Sequence, residues 1–196
     1  MRYRHLLIAL IGLSCGQNSS TEETNEDTVR IIPDTIKTVA PVIVVDSTAI
    51  HIAEFEKKVS ATLGSDWKVV NDSIAQWPKD VFDYFIAGKR KESSDYPYIT
   101  SGDFDGDGKA DTAYLIRNAT KPNYQIAVSL STNRIIFWKE DIDLTAITTL
   151  PRSEVGGING ERIKMKADGI QVEYFEKATF VIYLDNSSLK RVYTGD

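Results

Sequence analysis

Gly102-Asp-Phe-Asp-Gly-Asp-Gly-Lys-Ala-Asp-Thr-Ala-Tyr-Leu-Ile-Arg117 combines an acidic, glycine-containing loop with an apolar stretch that directly follows it, and this combination predicts the central part of the fold. Loop positions 1, 3, 5, 7 and 9 carry oxygen donors, which are the carboxylates of Asp103, Asp105, Asp107 and Asp111 and, at position 7, the carbonyl of Lys109. This spacing turns the donors toward one point, as calcium with its roughly six to eight oxygen ligands requires. Without a cation, four converging carboxylates would repel one another or take up protons. The loop therefore predicts calcium as the cofactor, with a solvated turn as the alternative.

The residues that follow the loop distinguish it from an EF-hand. Position 12 is Tyr114, where an EF-hand has a bidentate glutamate. Thr112–Arg117 is typical of a strand, whereas an EF-hand loop leads into a helix. The loop is therefore expected to join two strands.

Gly102–Tyr114 resembles the calcium loops of the FG-GAP and VCBS repeats of integrin-like β-propellers, in which aspartates at the matching positions hold calcium. The resemblance covers about 25 residues, and the sequence contains no second copy. A single repeat cannot build a propeller, since each repeat buries its face only against its neighbours. The resemblance implies the ion and a strand-loop-strand unit, but not the whole fold.

Beyond the loop, hydrophobic residues alternate with polar or small ones, which predicts half-buried strands. The alternating positions are Tyr124, Ile126, Val128 and Leu130, then Ile163 and Met165, and then Ala178, Phe180, Ile182 and Leu184. Turn signals between them predict antiparallel neighbours, and they lie at Thr132-Asn133, Ala167-Asp168-Gly169 and Asp185-Asn-Ser-Ser188. The glycine-rich Gly156–Gly160 lacks the lysine and the helix of a phosphate-binding loop, and it is interpreted as a hairpin.

On the N-terminal side of the loop, the hydrophobic residues recur with the spacing of an α-helix. Apolar residues at spacings of 3, 4 and 4, followed by Gly64, predict a helix over 49–63. Pro78 at a first-turn position and Gly88 as a terminator bound a second, shorter helix, and Trp67 and Trp77 are expected to close the core between the two. The resulting prediction is an α+β domain, with two N-terminal helices packed on an antiparallel β-sheet meander that carries the strand-loop-strand calcium site.

The first 15 residues have the organisation of a signal peptide. A basic start is followed by the apolar run Leu6–Leu13, which is too short to span a bilayer. Gly12-Leu-Ser-Cys15 resembles the lipobox of bacterial lipoproteins, in which the cysteine is diacylated and becomes the mature N-terminus. Gly12 stands where that family usually has leucine. The resemblance implies a lipid anchor on Cys15 and a place in the bacterial cell envelope, on its periplasmic or surface side; an uncleaved anchor or plain secretion are the alternatives.

The next segment, residues 16–47, is polar and acidic at its start and is punctuated by threonine and proline, as is typical of a disordered tether. Within it, Val42–Val45 is apolar enough to add an edge strand. The folded α+β domain is expected to occupy residues 48–196, with the calcium loop at 103–111. The lone cysteine, Cys15, excludes an internal disulfide and a cysteine-built zinc site.

Charge and motif content narrow the function classes. The chain has 23 basic and 28 acidic residues, and two of the basic ones lie in the expected signal peptide, so nucleic acid is excluded as a partner. No catalytic residue is assigned, since His51 stands in no motif and no nucleophile elbow or zinc-protease signature occurs. A binding module with a protein or carbohydrate ligand is the favoured interpretation. An envelope hydrolase of glycosidase type, using acidic residues such as Glu173 and Glu176, is the alternative.

Overall fold

A computed structural model of the chain describes residues 47–92, 97–176 and 178–195. These residues belong to one compact unit, Ile43–Asp196. The predicted signal peptide, Cys15, the tether as far as residue 46 and the possible edge strand at Val42–Val45 lie outside the described residues. Within the described part of the chain, no helix combines the length and the hydropathy that a membrane crossing requires.

The helices precede most of the strands and are few. Helix α1 spans Ser47–Leu63, against the predicted 49–63, and α2 is the short Asp72–Ala75. The segment predicted as a second regular helix is instead a π-helix, Val81–Ile86, continued by α3 at Ala87–Arg90. Gly88 does not end a helix as predicted. A glycine terminates a helix by taking a left-handed conformation, and Gly88 is not among the residues with positive φ.

The strands form two large antiparallel sheets and one small one. Sheet I has the order β1-β3-β4-β5, with β2 pairing with the other half of β3, and sheet II has the order β11-β10-β9-β6. The strands of sheet I are β1 Trp67–Val69, β2 Ile99–Gly102, β3 Asp111–Asn118, β4 Tyr124–Ser129 and β5 Ile135–Trp138. Those of sheet II are β6 Thr145–Leu150, β9 Gly169–Tyr174, β10 Thr179–Asp185 and β11 Ser188–Gly195. The remaining two, β7 Glu154–Gly156 and β8 Arg162–Lys164, form the predicted glycine-rich hairpin.

The expectation of antiparallel strands with a few helices is confirmed, but the single meander is wrong. Sheets I and II pack face to face around one core cluster, in which Leu115 and Ile126 of sheet I meet Ile147 and Phe180 of sheet II. The chain leaves sheet I after β5 and does not pair β6 with it. Ile142, which is 1% exposed, is buried in this cluster within the crossover. Its burial helps to hold the crossover segment against the core.

Strands β3 and β4 are buried on both faces, so the prediction of half-buried strands is wrong for them. Their inner faces contact sheet II, and their outer faces form a second cluster with Phe55 and Val59 of α1. The rings of Phe55 and Tyr114 stack with their centroids 3.9 Å apart. Because successive side chains of a strand point to opposite faces, a central strand covered on both sides is apolar at nearly every position.

Two of the three turn predictions are confirmed. The Thr132-Asn133 turn links the paired strands β4 and β5, and Asn186-Ser187, both with positive φ, links β10 and β11 as a two-residue hairpin turn. The third is wrong, because Ala167-Asp168-Gly169 connects β8 to β9, which lie in different sheets. A Cβ atom on Gly169 would come within 2.9 Å of Val181 Cγ1, so the glycine is needed for close strand packing.

The prediction that Trp67 and Trp77 close one core is wrong, because the two side chains belong to different clusters. Trp67 belongs to the cluster under α1, and Trp77 belongs to the cluster between the sheets, where its Nε1 donates to Asp143 Oδ1 at 2.9 Å. At the same end of sheet I, Arg117 is 6% exposed and donates to the Tyr124 hydroxyl at 3.1 Å and to Gln76 Oε1 at 2.7 Å. These bonds tie the α2 segment to the end of sheet I.

The packing of α1 predicts that Phe55→Ala destabilises the domain by about 3–5 kcal/mol, the usual cost of removing a buried phenylalanine ring. The measurement is the free energy of unfolding from urea denaturation followed by circular dichroism. Lys57→Ala, at an exposed position of the same helix, is the control and should change stability by less than about 0.5 kcal/mol. Equal effects of the two substitutions would contradict the packing of α1 on sheet I.

Candidate metal centre

The acidic loop lies at one end of sheet I, between β2 and β3. Its two ends are held together because Gly102, the last residue of β2, pairs with Asp111, the first residue of β3. The predicted strand-loop-strand arrangement is therefore present. At the junction, a Cβ atom on Gly102 would come within 2.8 Å of Thr149 Cγ2, so a side chain here would collide with sheet II.

Three of the four aspartates converge. Ligand oxygens of Asp103, Asp105 and Asp111 all lie within 4.8 Å of one another, close enough for one ion to contact all three. Asp111 is 1% exposed, whereas Asp103 and Asp105 are half-buried. The candidate ligand set thus combines one buried carboxylate at the strand end with two that solvent can reach.

The backbone of the loop wraps around its own carboxylates. Asp103 accepts from Gly106 N at 2.8 Å through Oδ1 and from Gly108 N at 3.1 Å through Oδ2. Asp105 Oδ1 accepts from Asp107 N at 3.1 Å. Gly106 and Gly108 have φ values of 80° and 83°, which only glycine adopts without strain. These N–H groups orient the carboxylates, and each oxygen keeps lone-pair capacity for a cation.

Asp111 holds the loop to the neighbouring turn. Its Oδ2 accepts from Phe104 N at 2.9 Å and from Asp105 N at 3.3 Å, and its Oδ1 accepts from Ser131 N at 2.7 Å. Burial raises the pKa of the Asp111 carboxyl above its ordinary value, and the charge of Asp105 adds to this, while the N–H bonds oppose it. A cation between the two carboxylates would offset both the lost solvation and the repulsion.

Asp107 and the side chain of Lys109 do not belong to the converging group. Asp107 Oδ1 accepts from Lys109 N at 2.8 Å and Oδ2 accepts from Ser131 Oγ at 2.9 Å, while Lys109 Nζ lies 3.7 Å from Oδ2. The backbone bond from Lys109, followed by the bond from Ser131, lowers the pKa of Asp107. In this arrangement Asp107 braces the loop, and the Lys109 carbonyl remains a predicted ligand.

The sequence prediction missed Asp168, which connects the loop to sheet II. Its Oδ2 accepts from Asp103 N at 3.0 Å and its Oδ1 accepts from Arg152 N at 2.9 Å, while its own N–H donates to Asp103 O at 2.9 Å. Asp168 precedes β9, so these bonds span the two sheets. It was identified only as part of a turn signal, because nothing local to an Asp-Gly pair indicates a partner 65 residues away.

Two further residues near the loop were also missed. Phe104 lies inside the loop, yet it is 2% exposed and belongs to the core cluster between the sheets. Ser131 bonds both Asp111 and Asp107 from the β4–β5 turn. Phe104, as an apolar residue within an acidic loop, could have indicated from the sequence that the loop is anchored in the core. No feature of the sequence around Ser131 indicates its contacts with the loop.

The acidic and basic residues considered for other functions lie elsewhere. Glu173, on β9, is ion-paired with Lys89 and also accepts from Gln171 Nε2 at 3.1 Å. Glu176 lies in the turn after β9 with a φ of 54°. His51 is exposed and lies in the second turn of α1.

The residues at the loop fit a hard divalent cation. Carboxylates are donors that calcium prefers, and oxygens of three of them lie within 4.8 Å of one another. Comparison of the chain with protein-family models, with curated proteins and with solved structures finds no match.

The position of Asp168 predicts that Asp168→Ala lowers the free energy of unfolding by about 1–3 kcal/mol, because the Asp103 and Arg152 N–H groups lose their acceptor. Thermal and urea unfolding measure the loss. Asp168→Asn keeps one oxygen acceptor and should cost less than the alanine variant. A wild-type stability for Asp168→Ala would refute the role of this side chain in joining the loop to sheet II.

Proposed function

We propose that this chain is a lipid-anchored protein of the bacterial cell envelope, whose domain binds one calcium ion structurally at loop 103–111 and acts as a binding module. The convergence of Asp103, Asp105 and Asp111 within 4.8 Å carries the proposal for the ion. The sequence at Cys15 carries the proposal for the anchor. The finer description of the fold, two N-terminal helices packed on a sheet, belongs to the same proposal and is supported by the contacts of α1.

Calcium would act at the junction between the two sheets. Asp111 begins the central strand of sheet I, and the backbone of Asp103 is bonded to Asp168, next to β9 of sheet II. A second tie lies beside it, where Thr149 Oγ1 donates to Ser101 O at 2.8 Å. An ion that holds the loop in one conformation would therefore also hold the contact between the sheets.

The free-energy gain from such an ion is substantial. A ligand present at 100 times its dissociation constant, and bound only by the native state, stabilises that state by about 2.7 kcal/mol. This is a large share of the roughly 5–15 kcal/mol that holds a typical domain folded. The chain has one cysteine and thus no internal disulfide to supply the same restraint.

The calcium proposal predicts a higher melting temperature in 1 mM calcium than in chelator, by about 5–11 °C for a gain of about 2.7 kcal/mol in a domain of roughly 150 residues. Differential scanning calorimetry on the same sample in the two conditions measures the shift. Asp105→Asn should abolish most of the shift, because it removes a ligand charge.

Two controls make this test specific. Asp80→Asn alters an exposed aspartate outside the loop and should leave the calcium shift intact. Asp107→Asn tests a residue that braces the loop but lies outside the converging group. It should reduce the calcium-dependent rise in melting temperature less than Asp105→Asn does. A wild-type melt that is indifferent to calcium would refute the proposal for the ion.

The anchor proposal predicts that the full-length protein, expressed in a bacterium with labelled palmitate, incorporates the label and partitions into the detergent phase on phase separation. Cys15→Ser should abolish both, since Cys15 is the acylation site and the only thiol in the chain. Label retained in Cys15→Ser would exclude lipidation at this residue.

A further inference from the structure

A cleft of about 400 Å³ opens between α1 and the loop end of sheet I. Its walls come from successive turns of α1, and its floor comes from the face of β2, β3 and β4 that α1 leaves uncovered. The stacked rings of Phe55 and Tyr114 close its inner end. Because both rings are buried and held by each other, this end of the cleft is preformed.

The floor of the cleft is a row of hydroxyl groups. Ser101, Thr112 and Ser129 stand opposite one another on three adjacent strands, so their side chains project from the same face of sheet I. Neighbouring strands lie about 4.8 Å apart, which sets the spacing of the hydroxyls along the row.

Each hydroxyl can donate one hydrogen bond and accept two, so the row matches a ligand whose own groups both donate and accept. Thr112 and Ser129 are half-buried, and in such positions hydrogen bonds contribute more than they do in bulk water. A ligand with hydroxyls at a similar spacing would satisfy the row without leaving polar groups unpaired.

The charged residues of the cleft argue against a charged ligand. Glu54 and Lys58, one helix turn apart, and His51 all lie at the exposed rim, where ion pairs contribute little. Lys58 Nζ already donates to Asn133 Oδ1 at 3.1 Å. An anion would also approach the aspartates of loop 103–111, because Thr112 directly follows Asp111.

From this arrangement we propose that the cleft binds a small, uncharged, polyhydroxylated molecule of the mono- or disaccharide class. The proposal rests on the binding-module part of the proposed function and gives that module a site and a ligand class. The site is separate from the metal centre but adjoins it. Ser101 lies two residues before Asp103 of the loop, and Ser129 lies two residues before Ser131, whose N–H donates to Asp111 of the loop. The loop that would hold calcium therefore also positions the floor of the cleft.

The test uses the full-length protein in a sugar-free detergent with calcium present. The probes are glucose, galactose, mannose, N-acetylglucosamine and maltose, with glycylglycine and acetate as charged comparisons. Saturation-transfer NMR detects binding, and isothermal calorimetry gives the dissociation constant. At least one saccharide should bind with a millimolar or lower dissociation constant, and neither charged probe should bind comparably.

Matched variants locate the site. Glu54→Trp places a large side chain at the rim and should abolish saccharide binding, whereas Lys57→Trp, at the adjacent exposed position outside the cleft lining, should not. Thr112→Val removes one floor hydroxyl without changing the side-chain volume and should weaken binding about tenfold. Thr148→Val, the same change on a half-buried position of sheet II, should leave it unchanged.

The outcomes separate the two proposals. Melting of each variant with and without calcium verifies that it is folded and reports on the metal centre independently of saccharide binding. Absence of binding by every saccharide, binding that survives Glu54→Trp, or preference for glycylglycine or acetate would each overturn the assignment of the cleft. Any of these results could coexist with a normal calcium shift, which would leave the metal proposal standing.

Discussion

Burial of β3 on both faces is the constraint on which the rest of the structure depends. From Ala113 to Ile116 every side chain of this strand is at most 7% exposed, so the strand needs a covering layer on each side. Helix α1 supplies one layer and sheet II supplies the other. Because β3 also pairs with three strands of its own sheet, displacement of this one strand would disturb both core clusters and the backbone hydrogen bonding of sheet I.

The same strand brings an electrostatic problem into the core. Asp111 begins β3 and is almost fully buried, and a buried carboxylate is costly unless it is bonded or paired. The structure offsets part of this cost with N–H groups from the loop and from Ser131. The remaining repulsion from Asp105 is what a cation would remove. Core packing and the proposed metal binding would thus be coupled through a single residue, Asp111.

The features of the candidate site that could be predicted depend on contacts within the loop, and those that could not depend on residues far away in the sequence. The convergence of carboxylates in the loop could be predicted from residue spacing, because a short loop with two glycines largely determines its own backbone. The exclusion of Asp107 from the converging group could not be predicted, since it depends on Ser131, 24 residues away. The role of Asp168 could not be predicted for the same reason, since its partner Asp103 is 65 residues away in the sequence. The cleft floor likewise depends on strand register, because Ser101, Thr112 and Ser129 form a row only when three strands are aligned.

Local sequence patterns were enough to predict the first helix, several of the strands, the antiparallel hairpins with local turns and the loop that joins two strands. These features arise from the spacing of apolar residues and from turn residues close together in the chain. Long-range packing, in contrast, sets the division of the strands into two sheets, the burial of β3 and β4 on both faces, and the joining of the sheets at the loop by Asp168. An alternating pattern marks one face as buried, but which layer covers it, and whether the other face is also covered, depends on elements far away along the chain.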